Sequence, residues 1–190
     1  MTRRIAGLDQ GDWDHDAEQF VRATFDALAG DWHTRTSPER TAVVDDALAR
    51  GLDRLTSRTA LAVEVGSGIG TYSPLLARRF DVVVSVELSW EMLTRADDST
   101  HRVQGDGGRL PLRDRSADAV ALINAFLFPV ELDRVLAPSG VVLWVNSSGE
   151  DTPIYLSFED VEAALPFPVV GVASRAGSGT WCALARRLPA

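Results

Sequence analysis

Four short and almost entirely apolar segments constrain the fold of this chain more than any other feature. They cover residues 60–65, 82–86, 117–123 and 141–145. Runs of this length that are apolar at both odd and even positions are typical of strands in a parallel sheet covered by helices on both faces. A helical pattern follows each of them, and this alternation predicts βαβ units with right-handed crossovers.

The helices between these strands have recognisable starts and stops. In chain order, their marks are Tyr72, Leu75 and Leu76; then Met92, Leu93 and Ala96 behind an N-cap at Ser89; then Leu132, Val135 and Leu136 before Pro138 and Gly140. A last helix is predicted to begin at Ser157, with Asp160 three residues on as in a capping box, and to stop at Pro166.

The two ends of the chain differ from this α/β pattern. A helix is predicted over residues 17–28, with Gly30 as its stop, and a second one starts at Ser37 and continues to Leu55. At the other end, residues 169–174 and 180–186 form a predicted antiparallel hairpin. We therefore expect a single domain over 1–190, with an N-terminal helical cap over 1–56 and a Rossmann-like core over 60–190.

A glycine-rich loop, Glu64-Val65-Gly66-Ser67-Gly68-Ile69-Gly70, ends the first predicted strand. Glycines let the chain turn sharply and bring backbone close to a ligand. Ligands of open α/β sheets bind outside the carboxyl ends of the strands, where the strand order reverses. A dinucleotide fingerprint would need glycine at position 71, which is threonine, so a nicotinamide-dependent oxidoreductase is disfavoured. Glu64 is a candidate ligand or an ordinary strand-end acid.

Two further acidic residues follow predicted strands. Glu87 ends the second strand, 21 residues after Gly66, where a carboxylate can accept hydrogen bonds from the two hydroxyls of a ribose. Asp106 and Gly107 follow a short third strand over 101–104, where the carboxylate can accept from the amine of adenine. The same residues also make a good turn sequence, so a purely structural role stays open for Asp106.

Charge and composition exclude several classes of partner. The formal net charge of −8 repels phosphate backbones and disfavours a nucleic-acid partner. The longest apolar run, residues 119–130, is too short to span a bilayer. Because the chain has a single cysteine, Cys182, a metal site built on thiolates is disfavoured, and we expect no metal. No secretory signal is visible at the start, so we expect a cytoplasmic protein without a membrane partner.

Together these motifs resemble the class I S-adenosylmethionine-dependent methyltransferases that act on small molecules, similar to those of ubiquinone and menaquinone biosynthesis. Five segments carry the resemblance, in order and at family spacing, between about residues 60 and 146. They are the glycine loop 64–70, Glu87 with residues 88–93, Asp106 with Leu110-Pro111, residues 116–120, and the turn 134–140.

The resemblance implies a seven-stranded, mostly parallel sheet with an antiparallel last strand and S-adenosylmethionine as cofactor. It implies that the methionine end of that cofactor lies between the glycine loop and Asn124-Ala125, where backbone carbonyls would accept from its ammonium. The implied cofactor-binding residues are Glu64, Gly66, Ser67, Gly68, Gly70, Glu87, Leu88, Met92, Asp106, Gly107, Asn124 and Ala125.

The expected reaction is in-line SN2 transfer of the methyl group to a small, largely apolar acceptor. The chain departs from the family by lacking a histidine in residues 122–129 and any large insertion after the fifth strand. His33, beside Trp32 in a possible lid, is a candidate base, and Asn124 is a candidate to orient the substrate. The departures also favour an alternative, a protein that binds S-adenosylmethionine or S-adenosylhomocysteine (SAH) without catalysis. The sequence does not identify the acceptor.

Overall fold

A seven-stranded sheet organises the chain in the computed structural model, which describes residues 13–56 and 58–187. Its order is β3-β2-β1-β4-β5-β7-β6. The strands are β1 Leu61–Val65, β2 Val82–Glu87, β3 His101–Gln104, β4 Ala117–Ile123, β5 Leu136–Asn146, β6 Val169–Ala176 and β7 Gly179–Arg186. The first five run parallel, and β7 is antiparallel to both β5 and β6. The predicted sheet is confirmed.

The strand order reverses direction at β1, and this places the site. β1 pairs with β2 on one side and with β4 on the other, in parallel register on both. The connection that leaves β1 runs to β2 on one side of β1, whereas the connection that leaves β3 runs to β4 on the other side. A crevice is expected between these two connections, at the carboxyl ends of the strands. The carboxyl ends of β1, β2 and β4 meet at this crevice and bring Gly66, Glu87 and Asn124 to one edge.

Helices cover both faces of the sheet, as predicted. They are α1 His15–Leu28, α2 Pro38–Asp46, α3 Asp53–Leu55, α4 Ser73–Ala77, α5 Trp90–Leu93, α6 Pro129–Val135 and α7 Phe158–Ala164. One buried cluster joins the sheet to Val21, Leu132 and Val161 of α1, α6 and α7. The second joins the opposite face to Val44 of α2 and Leu76 of α4. Two separate apolar layers thus hold the strands between them.

The prediction that the helix before β5 includes Leu136 and ends at Pro138 and Gly140 is wrong. α6 ends at Val135, and β5 already begins at Leu136. The register with β4 shifts here, since Ala117 pairs with Leu136 but Ala119 pairs with Val141. A Cβ at Gly140 would lie 2.7 Å from the carbonyl oxygen of Ala117. The glycine therefore permits a close backbone approach in an irregular strand and does not terminate a helix.

α1 ends at Leu28, just before Gly30 as predicted, but the chain does not leave the helical path there. α1 continues into a 3-10 helix over Ala29–Arg35, because Gly30 does not adopt the left-handed conformation that ends helices. The second helix begins at Pro38 as predicted, but a π-helical segment, Ala47–Leu52, interrupts it. α5 spans a single turn and leaves Ala96 outside it. The helical cap therefore contains a 3-10 segment and a π-helical segment that its periodicity does not reveal.

Local signals at the other end of the chain are confirmed. The Ser157 hydroxyl accepts from the Asp160 N–H at 3.1 Å, and the Asp160 carboxylate accepts from the Ser157 N–H at 3.1 Å, which completes a capping box. α7 ends at Ala164, two residues before the predicted stop. β6 and β7 form the predicted hairpin around Gly177, whose φ is 56°.

Within residues 13–56 and 58–187, no helix combines the length and the apolar character needed to cross a membrane. The same residues contain no group of three or more potential metal-ligating side chains. Parts of the predicted cap and core, residues 1–12, 57 and 188–190, lie outside the described residues. So does the start of the chain, on which the prediction about secretion rests.

Candidate functional site

Three glycines of the loop after β1 adopt left-handed backbone conformations. The φ angles of Gly66, Gly68 and Gly70 are 68°, 58° and 75°. A residue with a Cβ is strained at these positive φ angles, so the path of the backbone requires glycine at all three positions. The N–H groups of Gly66 and Ser67 both donate to the Val86 carbonyl, at 2.8 and 3.2 Å. The loop therefore curls over the end of β2, next to Glu87.

A buried hydroxyl in this loop has no partner. Ser67 is 8% exposed, and its Oγ makes no hydrogen bond to the protein. The loop also meets the end of β4 closely, since a Cβ at Gly66 would lie 3.1 Å from the Cβ of Ala125. An unpaired buried hydroxyl costs about 1–3 kcal/mol. This cradle fits a polar ligand that lies between the loop and residues 124–125.

Glu87 is buried at the centre of the crevice. Its carboxylate accepts from the Gly68 N–H and from the Ser89 N–H, both at 2.8 Å. Burial raises the pKa of Glu87, while the N–H donors of Ser89 and Gly68 oppose that rise. A carboxylate can accept about four hydrogen bonds, so two sites remain for hydroxyl donors. Glu87 thus shapes the glycine loop and retains the capacity to hold a ribose.

Glu64 lies beneath the loop and not in the crevice. It is 2% exposed, and its carboxyl group accepts from the hydroxyls of Ser73 and, at 3.3 Å, Ser85. Burial raises the pKa of Glu64 to about 7, against the effect of these two hydroxyls. Its direct contacts therefore link β1, β2 and the start of α4.

Asp106 binds a tryptophan from the far end of the chain. Its Oδ1 accepts from the Trp13 indole N–H at 3.0 Å and from the Gly108 N–H at 2.8 Å. The Trp13 ring packs against Phe126 and Phe128, with ring centroids 5.6 and 5.1 Å away. These two phenylalanines thus pack in the core beside the predicted adenine acceptor.

Gly107 sits where a side chain could not fit. A Cβ there would lie 2.6 Å from Phe128 and 2.8 Å from Val65. The segment that follows is fixed by Glu131 and Arg134 of α6. The Leu110 N–H donates to Glu131 at 2.6 Å, and Arg134 donates to the Leu110 carbonyl at 3.0 Å. The turn that carries Asp106 is therefore anchored on both sides.

Asn124 adopts a strained conformation at the end of β4, with φ at 52°. Asparagine tolerates this region better than most residues. Its side-chain amide forms a reciprocal pair with Ser147: Nδ2 donates to the hydroxyl and Oδ1 accepts from the N–H, both at 2.8 Å. The side chain therefore joins the ends of β4 and β5, and the backbone of residues 124–125 is the part that faces the glycine loop at Gly66.

We expect Asn124→Ala to destabilise the fold more than Asn124→Gly, although both remove the pair with Ser147. Alanine is strained at positive φ by about 1–2 kcal/mol, and glycine is not. Urea unfolding should place the alanine variant about 1 kcal/mol below the glycine variant. Equal free energies of unfolding would mean that the backbone relaxes at this position.

Residues 13–35, which we call the N-terminal strap, run across the crevice and contact it at three points. Trp13 reaches Asp106 at one end. In the middle, the Asp26 carboxylate accepts from the Ser89 hydroxyl and, at 3.2 Å, from the Glu91 N–H. At the other end, the Trp32 indole lies 3.3 Å from the position of a Cβ on Gly68. The strap thus contacts the surroundings of all three motifs.

The remaining predicted residues lie around this crevice in different settings. Met92 is fully buried, and Leu88 packs partly buried against the core. His33 is exposed on the 3-10 helix of the strap, next to Trp32. No sequence motif predicts that Trp13 or Asp26 lies at the site, since each binds a partner more than 60 residues away in the chain.

Tyr72 was predicted only as a helix residue, but it lies at the site. Its side chain is half-buried directly after the glycine loop. Burial raises the pKa of Tyr72, opposed by hydrogen bonding to Ser147 and Thr36. Tyr72 lies directly before α4, where it is the N-cap residue. Its position directly behind the glycine loop was the only available signal.

A comparison with protein families matches residues 63–144 to the family described as Methyltransferase domain. The matched segment carries the whole glycine loop, Glu87, Asp106 and Asn124. A curated relative, malonyl-[acyl-carrier protein] O-methyltransferase from Marinomonas sp. (strain MWYL1), is 32% identical over 108 residues. That alignment covers 49% of this chain and 40% of the relative, so the chain spans less than half of that protein's length.

Solved structures share the fold over most of the chain. The DhpI–SAH complex is 20% identical with a TM-score of 0.71 and covers 93% of this chain and 100% of its own. A SAM-dependent methyltransferase from Aquifex aeolicus is 17% identical with a TM-score of 0.66 and covers 83% and 97%. At these identities the likeness establishes the fold.

Proposed function

We propose that this chain is an S-adenosylmethionine-dependent methyltransferase that acts on a small, largely apolar acceptor. One observation carries the proposal. The glycine loop with its unpartnered Ser67 hydroxyl, the Glu87 carboxylate and the Asp106 turn converge on the crevice where the strand order reverses. The segment matched by the family, residues 63–144, contains the glycine loop, Glu87 and the Asp106 turn.

Each part of the crevice has a distinct binding role. Glu87 accepts from the ribose hydroxyls, and the free oxygen of Asp106 accepts from the adenine amine. The Ser67 hydroxyl and the backbone of residues 124–125 hold the methionine end. Gly66, Gly68, Gly70 and Gly107 keep the cradle free of side chains. Glu64 supports the loop from below through Ser73 and Ser85.

The catalytic demand on the protein is modest. When bound, S-adenosylmethionine supplies an activated methyl group that a nucleophile displaces in line. The protein contributes alignment and exclusion of water, which account for several kcal/mol of such a barrier. The strap excludes water through Trp13 and Trp32. A base is needed only for an acceptor that must lose a proton, and the candidate for that role is His33, which is exposed on the strap next to Trp32.

The character of the acceptor follows from the surroundings of Asn124. Phe126 and Phe128, which follow Asn124 along the chain, are apolar and buried, and the chain is acidic overall with a net charge of −8. These features favour an apolar molecule over a phosphorylated one. The curated relative is named for methylation of malonyl-[acyl-carrier protein], and no residue pair described above selects for a carrier protein.

The test is calorimetric titration of the purified chain with SAH and, separately, with NADH. We expect saturable binding of SAH and none of NADH. Conversion of S-adenosylmethionine to SAH in the presence of a low-molecular-weight cell extract then tests catalysis. Tighter binding of NADH would overturn the proposal in favour of an oxidoreductase, and SAH binding without any turnover would favour the non-catalytic alternative.

A further inference from the structure

A cavity of about 300 Å³ lies beside the carboxyl end of β5. Its walls come from β5, β6 and β7 and from residues 155–159, which lead into α7. None of the residues that line it belongs to the glycine loop, the Asp106 turn or the N-terminal strap. The roles proposed above therefore leave this cavity unused.

Two of the residues that line this cavity carry a buried polar atom without a partner. Trp144 is 1% exposed and its indole N–H has no acceptor, while Asn146 is 2% exposed and its Oδ1 has no donor. The amide orientation of Asn146 is fixed, because its Nδ2 donates to the Leu156 carbonyl at 2.9 Å and to Thr180 at 3.3 Å. Each unpaired buried group costs about 1–3 kcal/mol. A ligand with one acceptor and one donor would satisfy both.

The rest of the wall favours an uncharged and partly apolar ligand. Leu156, Phe158, Trp181 and Cys182 supply apolar surface. Burial raises the pKa of the Cys182 thiol to about 12, with the negative charges of Glu159 and Glu162 adding to the rise. An environment that opposes a thiolate also opposes other anions. The side chain of Arg175 at the rim is exposed, and its ion pair with Glu150 is long, at 3.9 Å.

A chain of neighbouring residues links this cavity to the methionine end of the proposed cofactor site. Asn146 precedes Ser147, whose hydroxyl and N–H bind the side chain of Asn124. Asn124 adjoins Ala125, which contacts the glycine loop at Gly66. The strap contacts the Asp106, Ser89 and Gly68 side of the crevice, so the β5 side is the one that it leaves for an acceptor.

We propose that this cavity binds the methyl acceptor, an uncharged small molecule with an apolar body and a polar head. The head accepts from the Trp144 indole N–H and donates to Asn146 Oδ1, as a primary amide or a hydroxyl group can. This inference rests on the proposed methyltransferase function. It adds the substrate class and the residues that select it.

The experiment follows the indole N–H signals of 15N-labelled protein during titration with benzamide. Trp144→Phe assigns the Trp144 signal while keeping an aromatic ring in the wall, and Trp90→Phe, at an exposed tryptophan, is the matched control. We expect benzamide to shift the Trp144 signal in a saturable manner. Toluene, which lacks the polar head, and benzoate, which is anionic at pH 7, should bind at least fivefold more weakly.

Three outcomes separate this inference from the proposed function. An unmoved Trp144 signal, with SAH binding intact, would overturn the inference and leave the cavity to an ordered water. A saturable shift together with a threefold or larger mutual change in SAH and benzamide affinities would support the acceptor role, because two ligands that bind at coupled sites change each other's affinity by the same factor. Saturable binding without coupling would overturn the acceptor role, and failure of SAH to bind would overturn the proposed function itself.

Discussion

Glu87→Ala is expected to weaken SAH binding by roughly 100-fold or more. In the proposed function the carboxylate accepts charge-assisted hydrogen bonds from two ribose hydroxyls, and loss of such bonds costs about 3 kcal/mol together. The variant also frees the N–H groups of Gly68 and Ser89, which Glu87 now holds at 2.8 Å. Calorimetric titration of the parent and the variant with SAH measures the effect.

Two further variants make this result specific to the ribose site. Glu91→Ala removes the same charge from a half-exposed position on α5, where Glu91 pairs with Arg95, and should leave SAH affinity within about twofold. Glu87→Gln keeps the shape and one acceptor oxygen, so it should bind with intermediate affinity if the alanine variant folds poorly. An alanine variant that is folded and binds SAH like the parent would show that Glu87 does not hold the cofactor.

Glu64→Gln is expected to stabilise the protein above pH 7 and to have little effect near pH 5. The pKa of Glu64 is raised from 4.5 to about 7 by burial, so between these values the folded state keeps a proton that the unfolded state has lost. Stability therefore falls as pH rises through this window, by about 3 kcal/mol, and then levels off. Glutamine remains neutral throughout and can still bond Ser73 and Ser85.

Urea unfolding of parent and variant at pH 5, 6, 7 and 8 tests this directly. The difference in free energy of unfolding should grow from near zero at pH 5 to about 3 kcal/mol at pH 8. Glu162→Gln, an exposed substitution on α7, controls for the general effect of removing one negative charge. A difference that stays constant across this range would contradict a buried, protonated Glu64.

The contrast between Glu64 and Glu87 shows what motif spacing can and cannot predict. The family resemblance implies both as cofactor-binding residues, Glu64 at the start of the glycine loop and Glu87 at the end of β2. Alternation along a strand does not identify which residue turns into the crevice and which turns beneath the loop. That was decided by Ser73 and Ser85, which meet Glu64 from α4 and β2.

The end of α6 shows the same limit for secondary structure. Pro138 and Gly140 are common after helices, and the sequence there predicts a helix that includes Leu136. Pairing of Ala117 with Leu136 instead starts the strand early, and the close approach of Gly140 to Ala117 absorbs the shift in register. A strand partner 19 residues away thus outweighed a local stop signal.

The structural features that could be predicted from the sequence alone are those encoded within a few consecutive residues. Continuous apolar runs produced the strands, the glycine spacing produced a loop of left-handed residues, and Ser157 with Asp160 produced a capping box. Tertiary packing was needed to bring distant groups together, as for Trp13 with Asp106 and for Asn124 with Ser147. The physical reason is that backbone preferences are local, whereas hydrogen-bond partners and cavities depend on how separate elements pack.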